Sequence, residues 1–347
     1  MKINMIKDKN LKEINIDICV KSRKNSWIHW WKGNIIESSL SEKTFVDING
    51  TKMGMIIKAV DTSNPILLFV HGGPGMPEYF LNQDYPTGLE KYFTVVWWDQ
   101  RGAGLSYDSN IDKNIMNYDQ FVDDTISVKN YLRERFNQDK IYLMAHSFGT
   151  YVGIKTVSKA PELYKGYIGI GQITHQNESE QKAYDYMVDY YSQIGDEETV
   201  KELKAKPYPS KEYLSIRDSV IHKAGIGTTR KMSSVVKDIF FRSLANKEYT
   251  VGEKINLWRG KIFSAASYIK KEENDTDFRE EVTKLDILVY FISGKYDYTV
   301  NYKMAEDYLN NLDAPLKKFY LFENSAHSPL FEEPEKMAEI IKNDILK

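Results

Sequence analysis

Residues 142–153, YLMAHSFGTYVG, run from an apolar segment through a single serine into small residues. A serine hydroxyl attacks a carbonyl only when a base takes its proton and the substrate can reach it. A strand that ends in a sharp turn and passes at once into a helix presents a serine in that way, provided the positions two before and two after it are small. Ala145 and Gly149 meet that spacing around Ser147, although Ala145 carries a methyl where glycine is usual. The expectation is that the following helix shifts slightly to admit the methyl. Such a motif is a weak signal alone, so the reading depends on partners elsewhere in the chain.

Outward from this stretch, residues 43–171 alternate short apolar runs with amphipathic segments. KTFVDING and TKMGMIIKAV meet at Asn49-Gly50, a dipeptide favoured in tight hairpins, and predict an antiparallel pair. PILLFV, FTVVWW, KIYLMA and YKGYIGI lack strict alternation, as strands covered on both faces do. Between the second and third of these, Phe121, Ile126, Val128 and Leu132 recur at helical spacing. The alternation implies an α/β fold with a mostly parallel sheet, flanking helices and right-handed crossovers. Residues 172–285 break the rhythm with Lys, Glu, Tyr and Ser-rich helical segments, before ILVYFISG, KKFYLFE and a final amphipathic segment resume it. The chain therefore reads as a core of residues 43–171 and 286–347, a helical cap of residues 172–285 inserted after the sixth strand, and an N-terminal arm of residues 1–42.

That arm holds Trp27, Trp30 and Trp31 among charges, and three readings fit it: packing on the body, a contact that builds a homo-oligomer, or an interfacial membrane anchor. The 347 residues are 42% hydrophobic and 28% charged, within the ordinary globular range. A net charge of -2, with 47 basic side chains interleaved among 49 acidic ones, excludes the concentrated basic face that nucleic-acid binding needs. Cys19 is the only cysteine, which excludes an intrachain disulfide and cysteine-based metal clusters. The histidines lack paired ligand spacing, so no metal and no cofactor is expected. With no apolar leader segment and no run of about 18 apolar residues, a soluble cytoplasmic protein without an integral membrane segment is expected.

FVHGGPGMPEYF follows an apolar strand directly, and its glycines let backbone approach a developing negative oxygen. The backbone N–H groups of Gly73 and Phe148 are the candidate oxyanion donors. Six histidines compete for the role of base. His29 lies in the arm, His175 and His222 in the insertion, His71 in the glycine turn, and His146 on the strand with its side chain facing away from that of Ser147. His327 remains, in a loop between the last strand and last helix, at the sheet edge where active-site loops gather. Asp297, just beyond Gly294, is the carboxylate to orient it, because after YKGYIGI no carboxylate occurs until Glu178.

The motifs HGGPG, WWDQRGAGLS, AHSFGT, SGKYD and AHSP, with their order Ser, Asp, His, resemble the proline iminopeptidase branch of the α/β-hydrolase family. The likeness spans residues 43–171 and 286–347 well and the insertion loosely. It implies the α/β-hydrolase fold and a serine hydrolase that cleaves an amide or ester through an acyl-enzyme, releasing an N-terminal residue from a small substrate or short peptide. It also implies that Asp99 and Arg101, with His71 and Gly72, support the oxyanion turn. The family places glutamates on the cap to neutralise the substrate ammonium, one of them in a Trp-Glu-Gly element. The comparable element here is Trp258-Arg259-Gly260, which makes Trp258 and Arg259 candidate substrate-binding residues and puts a cation where an anion is usual. Glu248 and Glu253 are other cap carboxylates. An esterase for small or aromatic esters is the alternative that this departure raises, with a non-catalytic ligand-binding protein as a further one.

Overall fold

The computed structural model describes residues 38–267 and 275–347. The Trp-rich stretch of the arm, with Cys19 and His29, lies outside the described residues. Asn49 and Gly50 have φ of 47° and 73°, the left-handed values a two-residue hairpin turn requires. Across that turn β1 (Leu40–Ile48) and β2 (Thr51–Ala59) pair antiparallel in continuous register. β1 thus begins three residues before the expected start of the core. The sheet continues through β3 (Ile66–Val70), β4 (Thr94–Trp98), β5 (Ile141–His146), β6 (Tyr164–Ile170), β7 (Leu288–Gly294) and β8 (Leu316–Phe322), in the order β1-β2-β4-β3-β5-β6-β7-β8. β2 pairs antiparallel with β4, and the other contacts from β4 to β8 are parallel.

Helix α1 (Tyr79–Asp84) precedes β4, α2 (Tyr118–Phe136) links β4 to β5, and α3 (Phe148–Lys159) links β5 to β6. Between β6 and β7 lie α4 (Gln176–Gln193), α5 (Glu197–Ala205), α6 (Lys211–Lys223), α7 (Phe241–Ala245), α8 (Val251–Ala265) and the short α9 (Phe278–Glu281), with no strand among the described residues. α10 (Tyr302–Asn311), α11 (Pro329–Glu332) and α12 (Pro334–Ile340) complete the chain. None of the described helices is long and apolar enough to cross a membrane.

Neighbouring strand residues feed opposite faces, which is why the strand sequences read as unbroken apolar runs. Leu68, Val70, Leu143, Ala145 and Val289 pack with α2, α3 and α10, while Leu67, Phe69, Tyr142, Met144 and Tyr290 pack with the C-terminal helices. A third cluster, separate from both, is built within α4–α6 and the turn after it from Met187, Tyr191, Leu203, Tyr213, Val220 and Ile226; Tyr296 and Tyr298 of the sheet core lean against it.

Candidate active site

Ser147 sits between β5 and α3 with φ 54° and ψ -126°, a conformation that a non-glycine residue adopts only under constraint. The constraint is visible on both sides. Its N–H donates to Ile170 O at 2.9 Å, extending the β5–β6 ladder by one residue, and the next residue already opens α3. The methyl of Ala145 is accommodated by a gap in α3: a Cβ on Gly153 would lie 2.9 Å from the Ala145 Cβ. The room thus comes from a second glycine one turn into the helix.

His327 and Asp297 meet although 30 residues separate them: His327 Nδ1 donates to Asp297 Oδ2 at 2.8 Å, both side chains being buried. Asp297 Oδ1 accepts from Val300 N at 2.8 Å, which fixes the carboxylate, and Gly171 leaves space beside the pair. With its Nδ1 proton committed, the ring leaves Nε2 as the acceptor. Ser147 and His327 line one cavity of about 450 Å³. No hydrogen bond joins the Ser147 hydroxyl to the ring among the described residues, and such contacts often tighten only when substrate is bound.

Gly73, with φ 124°, lines the same cavity. Phe148 is the first residue of α3, so its N–H belongs to the helix end that has no intrahelical acceptor. Gly72 is close to the serine as well, since a Cβ on it would stand 2.9 Å from the Ser147 Cβ. His71 anchors this turn: its Nε2 accepts from Gln100 N at 3.0 Å, its Nδ1 faces Gly72 O at 2.9 Å, and Gln100 Nε2 donates to His71 O at 2.6 Å. Burial pushes the imidazole down to about 4, in keeping with a neutral ring.

Support for the turn therefore comes from Gln100 and not directly from its neighbours, a correction to the expected roles of Asp99 and Arg101. Arg101 points to the far side, where its Nε and Nη2 grip Asp124 of α2 at 2.7 Å each while it also bonds Thr51 and Asn49 O. It ties the β1–β2 hairpin to α2. Asp99 Oδ2 accepts from Leu105 N at 2.7 Å and shapes the loop on which α8 rests, with Gly260 at the contact. Burial pushes Asp99 up to about 8 from 3.8, with Glu253 adding to the rise, so folding takes up a proton between about pH 4 and pH 8 and the associated stability is lost as pH rises through that window. Asp99→Asn is accordingly expected to gain in melting temperature over the wild type as pH moves from 5 to 9; a difference that stays constant with pH would show the carboxylate to be ionised inside the fold.

Trp258 does line the cavity, donating from Nε1 to Ser243 Oγ at 2.9 Å. Arg259 does not. One residue further round α8, it is exposed and outside the cavity wall, which removes it from the substrate-binding set. Glu248 and Glu253 are also elsewhere, bonded to Lys58 and Lys43. The charged wall is instead Glu78, Glu180, Arg217, Asp218 and Lys261, which sequence reasoning missed. Arg217 clamps Glu180 through Nε and Nη2 at 2.9 and 3.0 Å and reaches Asp218 through Nη1 at 3.0 Å. His222 lines the cavity too, but its Nδ1 is bonded to Asp218 O and its Nε2 to Thr228. Among the described residues no group of three or more His, Cys, Asp or Glu is placed to hold a metal ion.

The profile of the family described as "Serine aminopeptidase, S33" matches residues 89–334. A probable aminopeptidase of Bacillus subtilis (strain 168) is 34% identical over 308 residues, covering 85% of this chain and 93% of that protein. A proline iminopeptidase of Saccharolobus solfataricus is 27% identical over 88% of this chain and 92% of its own. Among solved structures, a proline iminopeptidase-related protein from Thermus thermophilus superposes with a TM-score of 0.57 at 20% identity, covering 88% of this chain and 98% of that one. At that identity the superposition speaks for the fold alone. The doubly covered sheet and the two sequence matches agree, and the chain belongs to the S33 serine aminopeptidase family of hydrolases, on the proline iminopeptidase-like side of the α/β-hydrolase fold.

Proposed function

We propose that the protein is a serine hydrolase that releases an N-terminal residue from a small peptide or amide. The observation that carries this reading is the strained turn at Ser147 opening onto the same cavity as the His327–Asp297 pair. Ser147 attacks the scissile carbonyl while His327 Nε2 takes the hydroxyl proton and passes it to the leaving amine. Asp297 holds the Nδ1–H tautomer and stabilises the imidazolium that forms. The N–H groups of Gly73 and Phe148 stabilise the tetrahedral oxyanion, and water, with His327 as base, then frees the acyl group. Residues 172–285 serve as the cap, with Trp258 an apolar wall against the acyl side chain. The peptide reading draws on the names of the relatives, a probable aminopeptidase and a proline iminopeptidase.

One observation favours an esterase as second reading: each carboxylate on the cavity wall already faces a basic side chain, Glu180 and Asp218 bonding Arg217 and Glu78 bonding His146. An α-amino group entering the cavity has to compete for them. A panel of aminoacyl arylamides against nitrophenyl esters separates the two. Hydrolysis of prolyl or other aminoacyl arylamides is the expected result, and turnover of esters alone sinks the peptidase reading.

A further inference from the structure

His146 lines the cavity with Ser147 and His71 lies in the glycine turn, yet their partners demand different protonation. The Nε2 of His71 receives a backbone N–H, so that ring carries one proton. His146 faces acceptors on both sides: Nε2 meets the His327 carbonyl at 2.7 Å and Nδ1 meets Glu78 Oε2 at 2.8 Å. A carbonyl supplies no proton, so one must sit on Nε2, and a second must lie between Nδ1 and the carboxylate. With that second proton on Nδ1 the pair is an imidazolium and a carboxylate, both under a tenth exposed. Burial alone disfavours both charges, but each holds the other ionised, with the His146 ring above its ordinary value and the Glu78 carboxyl below. The other oxygen of Glu78 accepts from Gly72 N at 2.8 Å. One continuous bonded path thus runs from the glycine turn, through Glu78 and His146, to the backbone of His327.

We propose that Glu78 and His146 are positioning residues, a buried ion pair that locks the turn carrying Gly73 to the loop carrying His327. It keeps the oxyanion donors and the base at a fixed separation during turnover. The proposal rests on the Ser147 and His327 reading above. Around the pair the titratable groups are His71 on the glycine turn, Asp297 after β7, and His327, whose ring centroid is 4.8 Å from that of His146.

Glu78→Gln is the discriminating variant, because the amide preserves the bonds while removing the charge: its oxygen accepts from Gly72 N and its NH2 donates to a neutral His146 Nδ1. With arylamide or ester substrate, it is expected to keep KM within about twofold and to lower kcat by about tenfold. Glu78→Ala, which cuts the path, is expected to lower kcat by about 30-fold with KM within about twofold. Rates are referred to active sites counted with a fluorophosphonate, so that a loss of folded protein is not read as a loss of rate. A wild-type kcat in Glu78→Gln, or a wild-type rate per active site in Glu78→Ala, overturns the proposal. Ser147→Ala separates this from the parent reading: if that variant keeps turning over, both fall, whereas an inactive Ser147→Ala beside a wild-type-like Glu78→Gln removes the ion pair's role alone.

Discussion

Ser147→Ala is expected to fold as the wild type does and to lose roughly 10⁴-fold or more in kcat. In the proposed mechanism the hydroxyl forms the acyl bond, and the alanine methyl leaves nothing in its place that can attack a carbonyl. Alanine tolerates the site's backbone no worse than serine, because the φ of 54° is imposed by the β5–α3 junction and not by the hydroxyl. Asp297→Asn is expected to follow with a loss of about 10⁴, since an amide presenting its NH2 to Nδ1 forces the proton onto Nε2, the nitrogen that must accept. Steady-state hydrolysis of an arylamide or ester, together with circular dichroism, measures both. Retention of even a tenth of wild-type kcat by Ser147→Ala rules out the acyl-enzyme.

Gly149→Ala is expected to be among the most damaging one-methyl changes in the core, costing about 3 kcal/mol or leaving the protein insoluble. A Cβ there would lie 2.0 Å from Val70 O and 2.8 Å from His71 O. Both are backbone atoms, one at the end of β3 and the other in the glycine turn, so relief requires α3 to lift off the sheet and carry the serine with it. Gly252→Ala is the control, because a Cβ there meets nothing within 4 Å on the exposed start of α8. That variant is expected to melt at or slightly above the wild-type temperature. Equal melting temperatures for the two variants overturn the account of α3 packing.

The legible parts of this molecule were those written in short periods. Two-face burial makes β3 to β7 continuous apolar runs, the hairpin announces itself at Asn49-Gly50, and the elbow needs small residues at fixed offsets from Ser147. The sheet order and the relatives agree with that α/β-hydrolase expectation. Asp297 and His327 each follow a strand, and the geometry brings them within a hydrogen bond. What escaped was side-chain direction and long-range pairing. Trp258-Arg259-Gly260 reads as one element in the sequence, but a helix turns about 100° per residue, so its tryptophan and arginine face different surroundings. Glu78 and His146 are 68 positions apart and share no pattern, though Glu78 lies only seven residues past His71. Gly153 lies six residues past Ser147 in the sequence, yet its relation to Ala145 emerges only when strand and helix are packed together.

The tyrosine-rich cluster of α4–α6 shares none of its buried side chains with either face of the sheet, and two flanking tyrosines, Tyr296 and Tyr298, bear on it from the strand side. A substitution among these tyrosines therefore disturbs packing within α4–α6 first, while the bonds from Tyr298 N to Ile226 O at 3.5 Å and from His327 N to Gly227 O at 3.2 Å still tie the cluster's edge to the loops after β7 and β8.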